Sequence, residues 1–99
     1  MLEHLTRESL SEQLNTKFRL SPEPEKPVEI ELVEIQAGDD VAGQTQRFSA
    51  LFRGPLDYFL PQRTYRMEHE ELGDFELFIV PIRKDAAGFY YEAVFNRVK

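Results

Sequence analysis

Asp74-Phe75-Glu76-Leu77-Phe78-Ile79-Val80-Pro81-Ile82-Arg83 carries the strongest structural signal in the chain. The unbroken apolar run from Leu77 to Ile82 predicts a central strand covered on both faces. Pro81 interrupts it with a residue that cannot donate to a ladder. It therefore marks an edge-like bond position, a bulge or a bend. Upstream, Arg63 to Glu68 reads as a strand, and Glu70-Glu71-Leu72-Gly73 as its turn, with Gly73 free to take a positive φ. Downstream, Lys84-Asp85-Ala86-Ala87-Gly88 is a second hairpin loop. Phe89 to Val98 then returns with Phe89, Tyr91, Ala93 and Phe95 on one face. Arg63 to Val98 is thus a three-stranded meander.

Toward the N-terminus the period-2 pattern recurs. Leu56-Asp57-Tyr58-Phe59-Leu60-Pro61 is apolar but too short for a stable helix, and is expected to lie over an open end of the sheet. Gln46 to Arg53 alternates, with Phe48, Ala50 and Phe52 on one face and Leu51 on the other, so that second face is expected to be partly covered. Ala37 to Gly43 reads as a hairpin loop. Val28 to Leu32 is a strand with its acids facing water. The adjacent apolar pair Leu32 and Val33 breaks phase and predicts a bulge or bend. Glu29, Glu31 and Glu34 mark this strand as a protected sheet edge. Ser21 to Pro27 holds three prolines and is expected to be a stiff surface loop outside any ladder rather than a docking motif. Lys17-Phe18-Arg19-Leu20 is a brief strand. Residues 1–15 hold a short helix capped by Thr6, with Leu10 and Leu14 sharing a face.

These elements predict a mainly β chain (α+β at most). A short N-terminal helix packs on an antiparallel sheet of about six strands, in a small barrel or coiled sandwich ending in the meander. With 99 residues, the chain makes one domain, residues 1–99, with a single modest core. Eight Phe and four Tyr suit a thin β core.

Composition excludes several functions. There is no Cys, which removes disulfides, thiolate metal sites and thiol nucleophiles. The net charge of −6 opposes binding to nucleic acid or to an anionic membrane. No apolar stretch approaches the roughly 18 residues of a membrane span. Met1-Leu2-Glu3-His4-Leu5 shows no signal-peptide pattern, so the cytoplasm is the default compartment.

Catalytic signals are missing one by one. His69 stands among Glu68, Glu70 and Glu71, but a metal site needs three or four converging ligands, and His4 lies in another segment. A polar turn with His69 bonded to nearby backbone is the expected outcome. The carboxylates Glu29 and Glu31 alternate with apolar residues, as on a solvated strand face. Ser9, Ser11, Ser21 and Ser49 lack a nucleophile elbow. The glycines are isolated, without a phosphate cradle. No catalytic residue, metal ligand or cofactor is expected. Tyr90 and Tyr91 must point to opposite faces. Tyr65, Arg66, Tyr90, Tyr91 and Arg97 therefore form a candidate interface, since exposed Tyr and Arg favour protein contacts.

Thr64 to Gly73, Leu77 to Ile82 and Tyr91-Glu92-Ala93-Val94-Phe95-Asn96 together resemble a family of small bacterial proteins of unknown function, about a hundred residues long. Leu5-Thr6 and Phe18 are similar too. The resemblance implies fold-defining roles for His69, Leu72 and Gly73 at one turn, and for Asn96. Members of that family occur beside proteins with phage-tail-collar-like domains, which implies an accessory or assembly role in a tail-like surface structure. It supplies no catalytic residues.

Three functions remain in order of expectation. The first is a non-enzymatic interaction or assembly module with a protein partner or a second copy. The second is a small barrel holding a ligand in its interior or mouth. The third is a hydrolase or metal enzyme.

Overall fold

Alternating apolar residues build almost the whole molecule. A computed structural model describes residues 5–23, 25–38 and 45–98, with the side chains of residues 45, 46, 97 and 98 outside that description. The described residues form one helix, α1 (Arg7–Ser11), and six strands: β1 (Lys17–Glu23), β2 (Lys26–Ala37), β3 (Thr45–Gly54), β4 (Arg63–His69), β5 (Gly73–Asp85) and β6 (Gly88–Val98). All pairings are antiparallel, and the order β1-β2-β3-β6-β5-β4 closes into a barrel. The expected β class and C-terminal meander are present, and closure decides between barrel and sandwich. The loop expected over Ala37 to Gly43 falls largely outside the described residues.

Inward positions share one core. Phe18 sits at its centre, with its ring edge-on to Phe52 (centroids 5.2 Å apart) and Phe75 (6.1 Å). Phe48 stacks on Phe95 at 4.7 Å. A barrel of this size has room for side chains alone, and Ile30, Leu32, Met67, Ile79 and Tyr91 complete the filling.

Register slips in three of the strand pairs, β1–β2, β2–β3 and β5–β6, give the strands the coil that closure needs. The β2–β3 register slips between Leu32 and Glu34, which leaves Val33 as the extra residue at the expected phase break. The β5–β6 register slips between Pro81 and Arg83. Pairing of β5 with β4 has already ended at Ile79, so Pro81 has β6 as its one neighbouring strand.

Three expectations need correction. Ser21 to Pro27 is not a loop outside the ladder. β1 runs to Glu23, β2 starts at Lys26, and Glu23 pairs with Lys26 across a tight connection. The ladder tolerates Pro22 because the register slips between Leu20 and Glu23. Second, β2 is no free edge along Val28 to Glu31, because β1 pairs there. Third, Leu77 to Ile82 is not buried on both faces. Leu77 and Ile79 enter the core, whereas Phe78 and Ile82 are 48% and 44% exposed. A barrel has an outside, and among the described residues no second layer covers Phe78 and Ile82 of β5.

The two barrel ends are closed differently. At one end Thr6 caps α1 through a reciprocal pair with Ser9: each side chain accepts from the other's backbone N–H, at 3.0 and 2.9 Å. Leu5 and Leu10 are fully buried in the core. Asn15 turns the chain into β1 with φ +68° and donates its N–H to the Leu32 carbonyl at 2.7 Å. At the other end the β3–β4 connection inserts Leu60, as expected for that segment. No helix among the described residues is long and apolar enough to cross a membrane.

Candidate interaction surface

The expected Tyr–Arg patch does not assemble. Tyr65 and Tyr91 point into the barrel and are buried. Their hydroxyls hold the Leu60 plug: Tyr91 Oη accepts the Leu60 N–H at 3.0 Å, and Tyr65 Oη donates to the Pro61 carbonyl at 2.6 Å. Burial pushes both phenols above the ordinary tyrosine range. Tyr90 is the outward member of its pair, but the Arg83 guanidinium lies 4.3 Å from its ring centre and covers it. Arg66 is exposed and donates to Asp74 at 2.9 Å. Arg97 is on β6, with its side chain outside the described residues. The alternation of β4 explains the split, since Tyr65 and Met67 face in and Arg66 faces out.

The turn expected around His69 is built as a latch. Nδ1 accepts the backbone N–H groups of Glu71 (3.0 Å) and Leu72 (3.1 Å). Nε2 lies 2.8 Å from Thr16 Oγ1, whose hydroxyl donates to the Gln13 carbonyl at 2.7 Å. The hydroxyl proton is thus committed, so Nε2 carries the ring proton and donates it to Thr16. Burial lowers the His69 pKa, with Glu71 and Glu70 pulling the other way. With both nitrogens engaged, the ring offers no lone pair to a metal or a substrate. Among the described residues no group of three or more His, Cys, Asp or Glu is arranged to hold a metal. Gly73 follows at φ +78°, and Leu72 packs on the core. Asn96 does not share this turn. It lies exposed on β6 opposite Arg47.

Beside the latch is a bowl of about 710 Å³ walled by Lys17, Arg19, Glu68, Glu70 and Asp74 among others. Its cations are already engaged, Arg19 with Glu68 at 2.8 Å and Lys17 with Glu31 at 3.5 Å.

The opposite character appears where β5 meets β6. Their ladder begins at Val80↔Glu92 and runs toward the hairpin. Before it, β5 from Gly73 to Ile79 has β4 as its only strand partner among the described residues. Beyond it, residues 93–98 of β6 have β3 alone. The two strands therefore flank a seam. A groove of about 220 Å³ occupies it, lined by Phe78 and Val94 on the outward face, Leu77 and Phe95 from the core, and Val80 and Glu92 at the closed end. Val94 is 64% exposed and Phe78 is exposed opposite it, so apolar side chains from both strands stand in solvent at the seam. Sequence reasoning missed this surface by assigning Leu77 to Ile82 to burial on both faces. A signal was available: Val94 is an apolar residue in the outward phase of β6, between Glu92 and Asn96.

Fold and surface together define a small closed antiparallel barrel with a filled interior and an apolar seam. The chain belongs to the family of the domain of unknown function DUF6916, whose model matches residues 5–95. No curated protein and no solved structure matches the chain.

Proposed function

We propose that the chain is a non-enzymatic protein-interaction or assembly module whose contact surface is the outer face of β5 and β6. The observation that carries this reading is the pair of exposed apolar residues Phe78 and Val94 that line the seam groove from its two strands. Contiguous exposed apolar surface marks interaction sites, whereas single exposed apolar residues are ordinary. The sequence resemblance to proteins found beside phage-tail-collar-like domains supports an accessory role in a tail-like or surface structure. The alternative, a ligand in the interior or mouth of the barrel, is less favoured because Phe18, Phe52 and Phe75 fill the middle with direct ring contacts, and Leu60 at one end and Leu5 and Leu10 at the other are buried in the core.

The test compares the wild-type chain with a Phe78→Lys/Val94→Lys variant. Both sites are on the outside, so the fold is expected to survive, as circular dichroism and a melting curve would check. Products of neighbouring genes are captured on each protein, and the mass of each protein is followed by light scattering over a range of concentrations. Capture or self-association by the wild type that the variant loses supports the reading. A partner held equally by both proteins removes this surface from consideration.

A further inference from the structure

The shape and charge of the seam point to one kind of occupant, an inference that rests on the interaction reading above. Among the described residues, 93–98 of β6 have β3 on one side and no bonded strand on the other. Such an edge offers backbone N–H and C=O groups as a template for another strand. Free edges are usually blunted by charge, proline or a bulge. β2 shows such protection where it runs beyond β1, with the Val33 bulge and Glu34. The stretch Ala93-Val94-Phe95-Asn96 has neither charge nor proline, and its pairing with β3 is regular.

The groove beside that edge, about 220 Å³, falls below the roughly 300–1,000 Å³ of small-molecule sites. It is sized for a side chain entering between Phe78 and Val94. Charge then selects the neighbour of that side chain. Glu92 closes one end of the groove, and Glu76 lies two residues before Phe78 on the same face of β5. Among the described residues neither acid has an ion-pair partner. We infer that the β6 edge takes an extended segment of a partner protein as an added strand, with an apolar residue in the groove and a Lys or Arg two positions away facing Glu92.

A second copy of this chain fits less well. A two-fold contact sets each surface against itself. Two copies of the surface that carries Glu76 and Glu92 would then face each other, between chains that each carry a net charge of −6.

A dodecapeptide display library panned on the full chain tests the inference. The expected binders carry an apolar residue with Lys or Arg two positions away. They bind Val94→Lys about tenfold or more weakly. Panning on Glu92→Lys is expected to exchange the basic residue for Asp or Glu, a reversal that simple damage to the fold does not produce. In hydrogen exchange, bound peptide protects the amides of residues 93–96. Several results overturn the strand inference: no enriched peptide, binders indifferent to both substitutions, or protection elsewhere. A dimer that Val94→Lys dissociates overturns it in favour of a second copy. The broader interaction reading fails separately, when a captured partner is indifferent to the Phe78→Lys/Val94→Lys variant.

Discussion

At the scale of single residues, His69 is the clearest case of chemistry set by hydrogen bonding. A second ring proton would have to sit on Nδ1, against the N–H groups of Glu71 and Leu72. The folded-state pKa is accordingly below the ordinary 6.5, with burial as its largest cause. Because the folded value is the lower one, the unfolded chain takes up the proton first as pH falls. The contribution of His69 to stability is thus complete above about pH 6.5, declines as pH falls toward the folded-state value, and is constant below it. Urea unfolding between about pH 7 and about pH 5 should show this loss, and a His69→Gln variant should lack that component. At neutral pH the same variant leaves two backbone donors underserved and should cost about 1–3 kcal/mol. Tyr91 gives a second prediction. Tyr91→Phe strands the buried Leu60 N–H, at a cost of about 1–3 kcal/mol in urea unfolding. Tyr65→Phe should cost less, because Pro61 is exposed whereas Leu60 is fully buried. That Tyr90 and Tyr91 face opposite ways was legible from strand alternation. Which hydroxyl held the plug was not, because Leu60 lies 31 residues from its partner.

Elements were legible where a local pattern forced them and obscure where a neighbour decided. The Val33 bulge followed from two adjacent apolar residues, and the helix cap from Thr6. The prolines misled because their effect depends on register: Pro22 is harmless beside a slip that no local pattern reveals. The Leu77 to Ile82 run misled because hydrophobicity alone does not say whether a covering layer exists. Two hairpin glycines separate geometry from space. A Cβ on Gly88 would run into the Gly54 carbonyl oxygen and come within 2.9 Å of Arg53 Cγ, so β3 or β6 must shift. A Cβ on Gly73 meets nothing within 4 Å, but its φ of +78° is strained for any L side chain. Gly88→Ala should cost about 1–3 kcal/mol through overpacking, and Gly73→Ala about 1–2 kcal/mol through backbone strain alone. Gly73→Asn should recover part of the latter, since Asn tolerates the left-handed region, whereas Gly88→Asn should be worse than Gly88→Ala. Melting temperatures of the four variants check the order.

For the whole molecule the decisive event is closure, and it depends on the least extensive pairing. β3 and β6 are in register at every position from Thr45↔Val98 to Gly54↔Phe89. β1 meets β4 only at Arg19↔Glu68 and Leu20↔Met67. This contact was not legible in the sequence, because it joins distant segments and depends on coil that bulged strands accumulate. The ion pair across it, Arg19 with Glu68, is on the surface, where such pairs contribute little. Closure is held mainly from inside, by Phe18 and Leu20 of β1 and Met67 of β4 in the common core, with the Thr16–His69 hydrogen bond at one end and the Arg63 bond to the Pro22 carbonyl at the other. Two consequences follow for native-state hydrogen exchange, where local opening releases the least supported pairings first. The amides bonded across the β1–β4 seam should exchange by local opening, ahead of the β3–β6 ladder, whose slowest amides should track global unfolding. Met67→Ala should widen that difference by removing core contacts at the seam, while Arg19→Ala should leave it nearly unchanged. Equal protection at both places in the wild type would mean that the barrel opens only as a unit. A large effect of Arg19→Ala would place the closure in the surface ion pair instead of the core.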